Sequence, residues 1–243
     1  MVIKHRNFKM EWAKIHLDAL NAHFSGLISN PEKIYTVTIE EDTKRGLLHI
    51  KGEATGQIEI IKLGLFAGDF ICNLRASLDH LAWDLAGRRG SREIHFPVFG
   101  EDCPDTQTKI AAATAGMPCQ AVSIMKSLQP YKRGKAYKSH PLWRLNFLWN
   151  ADKHRILALH TADSGVLFEI EPRIPFKERK FDDKTIVDIP LSAKDKVRLN
   201  PRPNIKITFG DEQRGVELTI QDLRDIYEFV SLEVMPPLMG FLP

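Results

Sequence analysis

The sequence predicts an α+β protein in which helices pack with an antiparallel sheet, and three observations carry that expectation. Apolar residues recur at three- and four-residue steps through much of the first 153 positions. Two-residue alternation takes over in most of the remainder, and strands and helices do not alternate as a parallel sheet would require. At 243 residues with 43% apolar side chains, the chain has enough material for a sizeable core and reads as one domain over 1–243. Its helical part is expected mainly in 1–30, 57–153 and 221–240, and its strands in 34–53 and 154–220.

A first helix is expected over 8–28, where Phe8, Trp12, Ile15, Ala19 and Ala22 fall at helical steps and "SNPE" supplies the stop. Tyr35, Val37 and Ile39 then alternate with Thr36, Thr38 and Glu40, and "DTKRG" reads as the turn of a hairpin. The longest helix is expected over 57–88, ending at the glycines of "GRRGSRE". After a loop at "FPVFGEDCPD" come short helices near 106–115 and 120–128, separated by Gly116 and Pro118. "QPYKRGKAYKSHP" reads as a second loop, and Leu142, Leu145, Leu148 and Trp149 mark a helix over 142–153. β-rich runs follow from His154, and a closing helix from Gln221 to about Val234 is expected to be cut off by Pro236 and Pro237.

Several function classes are set aside by what is missing. Cys72, Cys103 and Cys119 are widely spaced, with no Cys-x-x-Cys pair, so neither a disulfide framework nor a thiolate zinc site is expected, and a reducing cytoplasm fits. "MVIKHRNFKMEW" lacks the apolar core of a signal peptide, and the apolar stretch 58–85 carries too many charges to span a membrane. Neither a phosphate-binding glycine loop nor a Gly-x-Ser-x-Gly elbow is present, and no cofactor is expected.

The informative stretch is "LRASLDHLAWDLA", 74–86. At 100° per residue, Phe70, Ile71, Leu74, Leu78, Leu81 and Leu85 share a core-facing side, while Asp69, Asn73, His80 and Asp84 fall on the opposite one. Such a stripe is either a solvated face or a sheltered site. Its mixture of amide, imidazole and carboxylates, with Trp83 alongside, suits the second, because a partly buried histidine near a carboxylate can exchange protons near neutral pH. Arg75 and Asp79, four apart, also suit a plain surface ion pair.

"LRASLDH" resembles the Arg-then-His motif of HEPN-type helical domains, many of which are metal-independent ribonucleases. The resemblance implies that Arg75 steadies charge on the scissile phosphate and that His80 moves protons at the ribose 2′-hydroxyl, with Asp79 or Asp84 orienting it and a 2′,3′-cyclic phosphate as product. It also implies a homodimer, since residues five apart on one helix point about 140° from each other and a second copy completes a shared groove. Over a longer span, "LRASLDHLAWDLA", "FPVF" and "HPLWRLNFLWNADKHRILAL" are similar to a set of bacterial and phage proteins sharing a Leu-Asp-His-Leu helix and an Asp-Lys-His-Arg segment, a likeness that implies no activity.

In "NADKHR", Asp152 and His154 are further site candidates where a helix gives way to a strand, while Lys153 and Arg155 suit the negative end of the helix dipole. Charge distribution points to RNA. No acidic residue lies between Asp105 and Asp152, a segment of net charge +7 that leaves −4 on the rest of the chain. Lys126, Lys132, Arg133, Lys135, Lys138 and Arg144, with Tyr131 and Tyr137 among them, combine phosphate neutralisation with stacking surfaces, as single-strand binders do. The function expected is thus an HEPN-like, metal-independent endoribonuclease or RNA-binding protein acting as a dimer. Two alternatives are a non-catalytic interaction module of bacterial or phage origin, and a metal-dependent hydrolase using His80, Asp84 and His154.

Overall fold

The computed structural model describes residues 5–30, 35–54, 57–88, 93–154, 158–171, 174–181, 184–196, 198–211 and 216–242. The fold is α+β, as the sequence predicts. Its helices are α1 (His5–Ser29), α2 (Gln57–Leu85), α3 (Pro104–Ala113), α4 (Cys119–Ser127), α5 (Pro141–His154), α6 (Ile220–Glu228) and α7 (Met235–Met239). The strands are β1 (Tyr35–Asp42), β2 (Leu47–Ala54), β3 (Ala158–Glu171), β4 (Lys177–Phe181), β5 (Lys184–Pro190), β6 (Arg198–Asp211) and β7 (Val216–Leu218). One sheet has the order β1-β2-β5-β4 with antiparallel neighbours throughout, and the other has the order β3-β6-β7. Contacts gather the chain into two compact units, Met1–Leu20 with Leu65–Ala158 and Phe209–Pro243, and Asn21–Gly64 with Leu159–Thr208. No described helix is long and apolar enough to cross a membrane.

In the first unit α2 is the spine. Phe70, Ile71, Leu74, Leu78, Leu81 and Leu85 are buried, as their spacing requires. The α1 face picked out by periodicity is corrected by the structure: Phe8, Trp12 and Ile15 are each more than half exposed, and the buried stripe is Arg6, Ala13, Leu17 and Leu20. Two apolar stripes compete on this helix. The one that also carries Arg6 and Lys9 packs inward, because buried Asp84 and Asn73 on α2 need polar partners.

Two local expectations also change. The expected loop at 129–141 contains tight helical turns over Pro130–Ser139, started by Pro130 and interrupted at Gly134, whose φ of 53° lies in the left-handed region. Pro236 and Pro237 do not end the C-terminal helix. A wide π-helical turn, Phe229–Val234, follows α6, and the prolines fall in the first turn of α7, where a missing N–H costs little.

In the second unit β1 and β2 form the expected hairpin, with Gly46 at φ 65° in the turn. Leu48, Ile50, Val187 and Ile189 form its core, packed by Val37, Ile174 and Leu191. The alternate positions form the other face, where Glu40, His49, Asp188 and Lys177 stand in register across the four strands. Charges there are matched: Arg179 donates to both oxygens of Asp188 at 2.9 and 2.7 Å, and His49 Nδ1 lies 2.6 Å from the same carboxylate. Lys51 pairs with Glu40, Lys194 with Glu41 and Lys184 with Glu53.

Candidate functional site

The polar stripe of α2 lies under α1. Arg6 and Asp84 form a buried ion pair, with Arg88 Nε donating to the other Asp84 oxygen at 2.9 Å. Lys9 Nζ donates to Asn73 Oδ1 at 2.9 Å, and His16 approaches Asp69 at 3.8 Å. His80 is half-buried, its ring stacked on that of His5 with centroids 5.9 Å apart and planes 29° from parallel. Burial lowers the His80 pKa below the ordinary histidine value, and the nearby His5 and Lys9 push it the same way, against Asp84 and Asp79. The shift favours the neutral imidazole, the form that can accept a proton. Asp84 is committed to two guanidinium groups.

Arg75 and Asp79 face a different partner. Arg75 is buried, and its Nη2 donates to the Phe96 carbonyl at 2.7 Å, while Phe96 N–H donates to Asp79 Oδ1 at 3.0 Å. The two side chains, themselves 3.0 Å apart, thus read the backbone of one residue as a neighbouring strand would. Gln129 grips the same segment further along, accepting from Phe99 N–H at 3.0 Å and donating to the Pro97 carbonyl at 2.8 Å. Hence "LRASLD" and "FPVF" form one physical unit, with Arg75 and Asp79 clasping an extended loop onto α2. Arg75 Nε and Nη1 have no hydrogen-bond partner among the described residues, and the Trp149 ring centroid lies 5.4 Å from its Cζ.

At the end of α5, Asp152 rests over Gly68, where a Cβ would come within 2.9 Å of its Oδ1. It accepts a hydrogen bond from Cys72 Sγ at 3.3 Å. Burial and this carboxylate push the Cys72 thiol up to about 11, so it is a poor nucleophile. Lys153 Nζ lies 4.9 Å from the Trp149 ring centroid. Arg155 and the His154 side chain lie outside the described residues. Among the described residues no three His, Cys, Asp or Glu side chains are grouped to hold a metal ion.

The basic segment divides into two sets. Lys132, Arg133, Lys135 and Lys138 are exposed, and among the described residues none of them pairs with a carboxylate. Arg144 is instead tied to Asp222 at 2.7 Å, Lys126 is half-buried, and Tyr131 is buried with Lys132 Nζ 5.2 Å from its ring centroid. Tyr137 packs edge-on against Trp143 at 5.7 Å, and Trp143 stacks on Phe147 at 5.2 Å, so three half-exposed rings run from the basic turns onto α5. Gly100 makes room for Tyr137, since a Cβ there would meet the ring at 2.7 Å. His140 fixes the join: its Nδ1 accepts from Leu142 N–H at 3.2 Å, its ring packs on Phe229, and burial with the nearby Arg133 lowers its pKa to about 4.

Sequence reasoning missed His5, Arg6 and Lys9, reading their stretch only for a signal-peptide core. Their spacing, together on one side of a helix, was the available signal. It also missed Gln129, which nothing local marks out. Comparison of the chain with protein-family models, with curated proteins and with solved structures finds no match.

Proposed function

We propose that the protein binds single-stranded RNA through the turns over 130–139 and cleaves it without a metal ion at His80. The observation that carries this reading is the set of exposed cations Lys132, Arg133, Lys135 and Lys138, which have no carboxylate partner among the described residues and adjoin the Tyr137, Trp143 and Phe147 rings. Charges left without an internal partner neutralise phosphates at low desolvation cost, and stacked rings accept bases of any identity. His80 supports the chemical half, being biased toward its neutral form, half-buried and flanked by ionisable groups from a second helix. Arg75 holds the Phe96 loop in this reading, and Asp152 contacts Cys72 rather than His80. A homodimer belongs to the same proposal, with the exposed Phe8, Trp12 and Ile15 on α1 as the apolar stripe available to a second copy.

The test is fluorescence anisotropy with a labelled single-stranded RNA, followed by incubation in excess EDTA and separation of products. Binding with a steep salt dependence, and cleavage to a 2′,3′-cyclic phosphate that His80→Gln abolishes, are expected. Absence of binding at low salt would remove the reading altogether. Binding without cleavage would leave an RNA-binding protein and remove the catalytic half.

A further inference from the structure

On the RNA-cleaving reading above, we infer that His5 and Lys9 of α1 complete the catalytic group around His80, with His5 as the general acid and Lys9 as the phosphate-stabilising cation. Three observations meet at this point of the helix pair. The His5 and His80 rings stack at 5.9 Å and 29°, which brings two imidazoles from different helices within reach of one phosphate. His5 is exposed and His80 half-buried, so the pair opens outward. Lys9 lies one helical turn beyond His5, is close enough to His80 to disfavour its protonated form, and reaches Asn73 with its ammonium at 2.9 Å. Arg75, the cation suggested by the motif, is buried and occupied by Phe96, whereas Lys9 has the same charge in a half-exposed position.

The step balances without any further reactant. His80 Nε2 or Nδ1 takes the proton of the ribose 2′-hydroxyl, the O2′–P bond forms, and the P–O5′ bond breaks. The departing 5′-oxygen receives its proton from His5, leaving a 2′,3′-cyclic phosphate and a free 5′-hydroxyl. Lys9 faces the phosphoryl oxygens, whose negative charge grows in the transition state. The ionisable groups facing His80 are His5 and Lys9 from α1, and Asp79 and Asp84 from α2. Both carboxylates favour the protonated imidazole, Asp84 more than Asp79, although Asp84 is paired with Arg6 and Arg88 and Asp79 lies beside Arg75.

The experiment compares wild type, His80→Gln, His5→Gln, Lys9→Ala and Lys9→Arg on two substrates in EDTA. One is a short single-stranded RNA and the other a uridine 3′-(p-nitrophenyl phosphate), whose leaving group departs without a proton. His80→Gln is expected to lose about 10² to 10⁴-fold on both substrates. His5→Gln is expected to lose a similar factor on RNA and to recover near-wild-type rates on the activated ester. Lys9→Ala is expected to lower kcat on both with little change in KM, and Lys9→Arg to restore part of it. Wild-type cleavage with unchanged rates in His5→Gln and Lys9→Ala would overturn this assignment and leave the RNA-cleaving reading intact. An equal loss by His5→Gln on both substrates would likewise overturn the acid role. A wild type inert on both substrates would overturn the RNA-cleaving reading and the assignment with it.

Discussion

The β1-β2-β5-β4 sheet and the turns over 130–139 are both rich in cations, yet they treat them in opposite ways. On the sheet Lys51, Lys184 and Arg179 each face a carboxylate on a neighbouring strand, and Lys194 just beyond β5 does the same. In the turns Lys132, Arg133, Lys135 and Lys138 face none among the described residues. A paired cation is already neutralised and adds little attraction for a distant anion, whereas an unpaired one contributes its full field at short range. The buried Arg6–Asp84 pair carries the first case furthest, with neither charge left available to solvent. Cation content alone therefore says little about ligand binding; pairing decides it.

Breaking the buried pair should have the largest effect. Asp84→Ala leaves Arg6 buried without its carboxylate and is expected to lower unfolding stability by about 3–5 kcal/mol in urea titrations, without directly touching the cationic turns. Removing the unpaired set should do the reverse. Lys132→Ala, Arg133→Ala, Lys135→Ala and Lys138→Ala together are expected to weaken single-stranded RNA binding by about 10²-fold or more near 0.1 M salt and to flatten the log–log salt slope by about 3. Stability should move by no more than about 0.5 kcal/mol for each exposed substitution.

His140 sharpens the comparison, because it anchors the cationic turns to α5 as a neutral ring. Its pKa of about 4 in the fold lies below the free value of 6.5, so the unfolded chain binds the extra proton between those values. Its contribution is therefore complete above about pH 6.5 and is lost as the pH falls toward 4, by at most about 3 kcal/mol. Urea midpoints measured across that range should show the decline in wild type and a shallower one in His140→Gln. The smallest effect is expected on the sheet: Lys51→Ala should leave both the melting temperature and RNA affinity unchanged within error, since exposed pairs contribute little. A loss of RNA affinity there comparable to that of the turn variant would break the contrast.

Much of the fold was legible because helix and strand periodicities are local. The core stripe of α2, from Phe70 to Leu85, and the β1–β2 hairpin follow from neighbours a few residues apart. Which stripe of α1 turns inward was not legible, because it depends on polar partners across the helix pair. The site divides in the same way. His80 could be singled out from its own helix, whereas the spacing of His5 and Lys9 marks a shared face of α1 but not that this face meets His80 and Asn73, and Arg75 proves to hold Phe96.

The sequence by itself determined the order and type of most elements, the apolar side of α2, and the absence of acidic residues from the basic segment. Tertiary structure alone decided which charges are neutralised. Arg6 meets Asp84 across 78 positions and His49 meets Asp188 across 139, while the cations of 130–139 meet no carboxylate among the described residues. Backbone periodicity acts over a few residues, whereas ion pairing acts over a few ångströms, and only folding converts one distance into the other.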